Sequence, residues 1–397
     1  MWWISPRATG FGGVCRSFRK ISYLYDARFC MKERLSSLDI LRGADMFLLL
    51  FLGPVLRAFC KVFPDGTAWL STQLQHSAWE GFVLWDIIMP LFLFMSGITI
   101  PFSMAKYKTL ARPDGSFYRK ILKRFCLLFL LGWIVQGNLL DFSWKIFHPY
   151  ANTLQSIAVG YVVAALLFVH CKPGWQVVVT VLLFAAYWAA FACTGMNLDP
   201  QDNIAMTVDK AVLGVHRDGV KFLEDGSWRF RTGYQYTWIL SSLNFAVTVL
   251  LGCFAGQMLR SGKHSRPKRA LLLALTGAAL VAAGLAISPI FPIVKKIWSS
   301  SMTLYSGGIC FLLAALSYYL VDVRGWHKAA DWLKIYGMNA ITAYCIGEVV
   351  NFSSVSESLL HGFSALACYP VIIAFANASI LLAILALMYK NKIFLKV

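Results

Sequence analysis

The chain has 397 residues, of which 58% are hydrophobic and only 14% charged. An ordinary soluble domain does not carry that balance, so the composition indicates a polytopic, all-α integral membrane protein. The formal net charge of +18 could suggest a nucleic-acid binder. However, its Lys and Arg residues cluster in short connections between apolar runs, as topology determinants do, and this distribution argues against nucleic acid.

Residues 1–30 are basic and aromatic but lack the apolar core and small-residue cleavage site of a signal peptide. Met31 then opens MKERLSSLDILRG. The expectation is that 1–30 form a non-native or disordered extension and that 31–397 form a single transmembrane domain. Apolar runs predict about ten spans: Asp45–Val62, Phe82–Met104, Ile121–Asn138, Leu154–Val169, Trp175–Thr194, Trp238–Leu259, Ala270–Ile287, Met302–Val321, Ile335–Val350 and Ala367–Tyr389. The first is interrupted by Gly53, Pro54 and Arg57. The basic connection from Lys106 to Arg124, the segment Arg260–Arg269 and the tail with Lys390, Lys392 and Lys396 predict cytoplasmic placement, with both termini inside. The His76 segment, Asp141–Tyr150, the polar loop 195–236, Ser288–Ser301 and Asn351–Ser364 then fall outside. The loop 195–236 is too long for a simple connector and is expected to cap the outer face. Lys295 and Lys296 breach the positive-inside pattern. The ten cysteines are scattered without a C-x-x-C, and the seven histidines form no ligand pair, so buried free thiols and no metal are expected.

The most informative stretch is QHSAWEGFVLWDIIMPLFLFMSGITIP, Gln75–Pro101. His76 stands just before the second span, near the positive end of the helix that follows. An imidazole there can act as a base or nucleophile, or be a surface histidine without a role. Asp86 and Pro90 lie within the apolar run, where an ionised carboxylate costs roughly 2.5 to 3.5 kcal/mol and proline leaves the Asp86 carbonyl without its helical partner. On a continuous helix Asp86 would lie roughly 15 Å deeper than His76, too far to orient its ring. Asp39, Arg42 and Asp45 recur at one-turn spacing at the cytoplasmic mouth of the first span, as an anchoring ion pair or a contact for an anionic ligand. Asn339, Glu348 and Gln155 are further polar intrusions into spans.

SLDILRG (Ser37–Gly43), HSAWEGFVLWDIIMPLFLFMSGITI (His76–Ile100), NTLQSIAVGY (Asn152–Tyr161), FPIVKKIWSSSMTL (Phe291–Leu304) and YGMNAITAY (Tyr336–Tyr344) occur in this order. Together they resemble the heparan-alpha-glucosaminide N-acetyltransferase family and its bacterial relatives over nearly everything after Met31. The resemblance implies acetyl transfer from cytosolic acetyl-CoA to an amino sugar or sugar on the periplasmic side of the inner membrane. It implies His76 as the catalytic residue. Trp79, Asp86, Lys295, Trp298 and Asn339 would bind substrate, and Asp39, Arg42 and Gln155 would lie toward the coenzyme. A homodimer is allowed for. The chain departs from the human-type pattern at Gly53, where an asparagine assists the histidine, and at Gln235–Trp238, which replaces an Asp-Pro-Glu-Gly segment. The alternative expectation is an inner-membrane transporter of N-acetylglucosamine or a related sugar, which some bacterial relatives suggest.

Overall fold

A computed structural model describes residues 35–109 and 114–395. The extension expected at 1–30 lies outside the described residues, as do Arg112 and Lys396, both counted toward topology. Among the described residues, eight helices are long and apolar enough to cross a membrane. They are α1 (Ser36–Val62), α2 (Leu84–Ser103), α4 (Thr153–His170), α5 (Pro173–Ala192), α7 (Ser242–Arg260), α8 (Arg266–Ile287), α9 (Ser300–Val323) and α12 (Tyr369–Lys390). Helix α3 (Gly115–Val135) is as long, but its first half carries Arg119, Lys120, Lys123 and Arg124. The span expected at Ile335–Val350 is divided at Asn339 into α10 (Lys334–Met338) and α11 (Ala340–Val349). The chain is thus an all-α polytopic membrane protein, and its apolar runs set the helices.

Burial orders the helices. The apolar windows of α2 and α7 are 78% and 72% buried, against 22% for each of α5, α8 and α12, so the first two form the centre and the last three face outward. Small residues bring the central pair into backbone contact: a Cβ added at Gly252 would fall 2.0 Å from the Phe94 carbonyl oxygen, and one at Gly97 would fall 1.9 Å from that of Val249. Helices without a hydrophobic driving force between them associate through such close contact. Apolar side chains of α2, α3, α4 and α7 complete the largest core cluster.

Helix α1 starts at Ser36 rather than Asp45 and runs through the expected interruption. Its turn Leu48–Leu52 is π-helical, and the Gly53 N–H bonds back to the Leu48 carbonyl. This widened turn takes up the misfit that Pro54 would otherwise impose as a kink. Gly53 is also the seat of the Trp85 ring, which lies 2.3 Å from where a Cβ would stand. The indole thus occupies the space that a side chain at this position would need.

The segment 195–236 is built around α6 (Ile204–Leu213) and a hairpin pairing β1 (Val220–Phe222) with β2 (Trp228–Phe230). Buried Asp209 on α6 accepts from the Trp238 and Ile239 N–H groups at 2.8 and 2.9 Å. Arg217, also buried, donates to the Tyr236 carbonyl at 3.0 Å. These bonds tie the segment to the start of α7.

Candidate active site

The helical continuity assumed between His76 and Asp86 does not hold. Residues 77–83 are not helical, and α2 opens with a 3-10 turn at Leu84–Ile87. The chain reverses at Gly81, whose φ of 108° is open only to glycine without strain. Asp86 therefore sits in the first turn of α2 beside His76 rather than some 15 Å beneath it. Pro90 falls near the start of the α-helical part, Ile88–Ile98, where few helical bonds exist for it to remove.

The Asp86 side chain is fully buried and accepts from four donors. His76 Nδ1 lies 2.8 Å from Oδ1, and Lys295 Nζ lies 3.2 Å from the same oxygen. The Val83 and Ser77 N–H groups reach Oδ2 at 3.2 and 3.4 Å. Lys295 Nζ also approaches His76 Nδ1 to 3.0 Å. An ammonium can only donate, and an unprotonated Nδ1 would place its lone pair against a carboxylate oxygen at 2.8 Å. The proton therefore sits on Nδ1, the Lys295 bond runs to Asp86, and Nε2 has no partner among the described residues. The imidazole remains accessible, with 41% of its side chain exposed.

Lys295 is placed by a rigid turn. Gly81 N–H bonds to the Ile293 carbonyl at 2.9 Å, and Glu80 pairs antiparallel with Val294, joining the His76 segment to the segment before α9. Lys296 clamps the same join by donating to the Ala78 carbonyl and to Gln235 Oε1, each at 2.6 Å. Trp298 takes a left-handed conformation at φ 53°, and its indole N–H donates to Thr248 at 3.1 Å. Such a backbone costs a non-glycine residue about 1–2 kcal/mol, held here by buried packing against Phe245. Burial pushes the Lys295 ammonium down to about 8 from 10.5, while Asp86 opposes the shift by favouring its charged form.

His76 stands where two cavities meet. One, of about 580 Å³, is walled by Tyr234, Tyr236 and Trp238, with Asn138, His148 and Lys295 on its lining. The other, of about 730 Å³, lies between α1, the end of α11 and α12. Leu49, His76, Trp85 and Glu348 line both. The five connections expected outside supply residues to these two cavities and so gather at one end of the bundle.

The other anticipated residues are dispersed. Trp79 packs into an apolar cluster with Tyr187, Phe191 and Phe291, and Trp298 stands behind the Lys295 turn; neither lines either of these two cavities. Gln155 is spent on backbone, accepting from Ala151 N–H at 2.8 Å and donating to the Pro149 carbonyl at 2.9 Å. Asp39 and Arg42 sit 3.8 Å apart at the opposite end of α1, roughly 25 Å along the helix from Arg57. Asn339 is 1% exposed at the break between α10 and α11, and both its side-chain polar atoms lack partners among the described residues.

Residues not anticipated for the site include Trp85, Tyr234, Tyr236 and Arg57. Tyr236 lies in the Gln235–Trp238 segment already singled out, with its ring 6.5 Å from that of His76. Burial first, and Asp86 second, push the Tyr236 phenol up to about 12, so it stays protonated at neutral pH. Among the described residues, no group of three or more His, Cys, Asp or Glu side chains could hold a metal ion.

No protein-family model matches the chain. Two curated proteins do. Heparan-alpha-glucosaminide N-acetyltransferase of Mus musculus is 24% identical over 438 aligned positions covering 94% of this chain, and that of Homo sapiens is 25% identical over 373 positions covering 80%. The matched region is 62% of the mouse protein and 53% of the human one, so the chain spans little more than half the length of these relatives. Matches running through nearly the whole chain make it a distant relative of the heparan-alpha-glucosaminide N-acetyltransferases.

Proposed function

We propose that this protein is a transmembrane acetyltransferase, moving acetyl from cytosolic acetyl-CoA to an amino sugar at the outer face of a cytoplasmic membrane. The observation that carries the reading is the His76–Asp86–Lys295 cluster at the junction of two cavities. Two substrates need two approaches to one reacting centre, and His76 lines both cavities.

In this reading the acceptor amine attacks the thioester carbonyl carbon, the new C–N bond replaces the C–S bond, and coenzyme A leaves as its thiol. His76 Nε2 removes the proton that the amine nitrogen must lose. Asp86 holds the ring in the tautomer that keeps Nε2 basic and balances the imidazolium once formed, and Lys295 neutralises Asp86 between turnovers. Transient attachment of acetyl to Nε2 would use the same nitrogen and the same support. Arg42, at the far end of α1 and beside Asp39, suits a contact with the coenzyme's anionic part as it arrives. Acetyl-CoA is the donor in this reading.

Acetyl transfer from radiolabelled acetyl-CoA to glucosamine, measured with purified protein and His76→Ala, tests the proposal. The expected outcome is transfer by the wild type and a loss of at least about a hundredfold in the variant. Absence of both transfer and thioester hydrolysis by the wild type, with sugar uptake into proteoliposomes, would instead favour a transporter.

A further inference from the structure

The larger cavity beside His76 has walls of an unusual kind for a water-soluble acceptor. Two of its three sides are spans that turn most of their surface outward: the apolar windows of α1 and α12 are 28% and 22% buried. Its lining changes character along the helix axis. Arg57 lies seven residues beyond Leu50 on α1, and Leu381 lies seven residues beyond Ala374 on the antiparallel α12. Each pair therefore spans about 10 Å. On α1 the lining passes from Arg57 through Pro54 to Leu50 and Leu49; on α12 Asn377 and Ala378 stand next to each other, and Glu348 follows Gly347, which packs against Leu50 and Leu381.

The polar part carries unmet demand. The Arg57 guanidinium lies over the Trp85 ring, 4.3 Å from its centroid, and no carboxylate pairs with it among the described residues. Glu348 lines the same cavity beyond ion-pair distance. Asn377 donates to Ser353 at 3.1 Å, but its side-chain oxygen has no partner. A planar cation without a counterion, fixed at the flank of a membrane protein, is suited to a phosphate. Below it on α1, Pro54, Leu50 and Leu49 give about 10 Å of apolar wall suited to the start of a hydrocarbon chain.

We infer that this cavity takes the acceptor in amphiphilic form: an amino sugar carried on a phosphate-bearing lipid and entering from the outer leaflet between α1 and α12. The phosphate meets Arg57, the lipid chain follows Leu50 and Leu381 into the bilayer, and the amine is delivered to His76. The inference rests on the acetyltransferase reading and narrows its acceptor to a class.

The test compares two acceptors in nanodiscs: glucosamine joined through a phosphodiester to diacylglycerol, and free glucosamine. Acetylation is followed by label from acetyl-CoA, and binding of the lipid probe by thermal shift. The wild type is expected to favour the lipid probe at least tenfold in kcat/KM. Arg57→Gln and Ala374→Trp are expected to reduce that ratio at least tenfold, mainly through KM for the probe. Ala374 is only partly buried, so a larger side chain there narrows the cavity without invading the core. Equal use of both acceptors, variants that lower both alike, or a probe bound no better than phosphatidylglycerol would overturn the inference. Acetylation of glucosamine without Arg57-dependent probe binding would overturn the lipid site alone. Arg57-dependent binding without acetyl transfer to either acceptor would overturn the acetyltransferase reading and leave the amphiphile site standing.

Discussion

In the proposed reaction, the chemistry at His76 rests on a single proton. With Nδ1–H committed to Asp86, the basic nitrogen must be Nε2, and this holds only while Asp86 stays anionic and charge-balanced. Lys295 supplies the balance. Its value of about 8, against 10.5 in an ordinary setting, means that the cluster loses its cation as pH rises through about 8. The rate of acetyl transfer is therefore expected to fall on that alkaline limb, and in Lys295→Arg the limb should move up because guanidinium keeps its proton. A limb that stays at the same pH in Lys295→Arg would remove Lys295 from the mechanism. The linked stability effect has the opposite sign. Between about 8 and 10.5 the unfolded chain holds the lysine proton more tightly, so this residue's contribution to stability rises with pH across that window. Gly53 belongs to the same scale. With the Trp85 indole in its place, asparagine there would have to displace a ring that lines both cavities.

Elements position these residues through close backbone contact. The α2–α7 crossing fixes the start of α2, and hence Asp86, against the centre of the bundle. Gly252→Val would put side-chain atoms where the Phe94 carbonyl already stands, forcing the helices apart at an expected cost of about 3 kcal/mol or more. Thermal unfolding in detergent checks this, and a wild-type midpoint for the variant would show that the contact is not needed. The cap is held differently, by polar bonds rather than small residues. Asp209→Ala leaves the Trp238 and Ile239 N–H groups without an acceptor, a local loss of about 2 to 5 kcal/mol. Hydrogen exchange is expected to speed up across Ile204–Ile239 and to stay slow in α4; uniform acceleration would mean global rather than local loosening. Burial raises the Asp209 carboxyl to about 6 from 3.8, so between these values the folded state holds the proton more tightly and its stability contribution declines as pH rises.

For the molecule as a whole, the arrangement is a bundle with the candidate site at one end. Connections that alternate along the sequence converge there. The His76 segment, the segment before α9, the cap and the end of α11 each supply one wall, so the site exists only when spans far apart in sequence are packed together. The sequence by itself determined the membrane class, since apolar runs of span length leave the backbone few options but helix. It also marked His76, Asp86 and Lys295 individually, because a histidine at a span entrance, a carboxylate in an apolar run and a lysine against the charge rule each stand out locally. Their meeting was decided by tertiary structure. Periodicity extends a helix through any apolar run, whereas the reversal at Gly81 depends on pairing with Ile293 and Val294, over 200 residues away. The same limit separates Trp79, Trp298 and Gln155, which support the packing and backbone of this end, from Trp85, Tyr236 and Arg57, which line the cavities. Residue type alone does not distinguish them; the direction in which packing turns each side chain does.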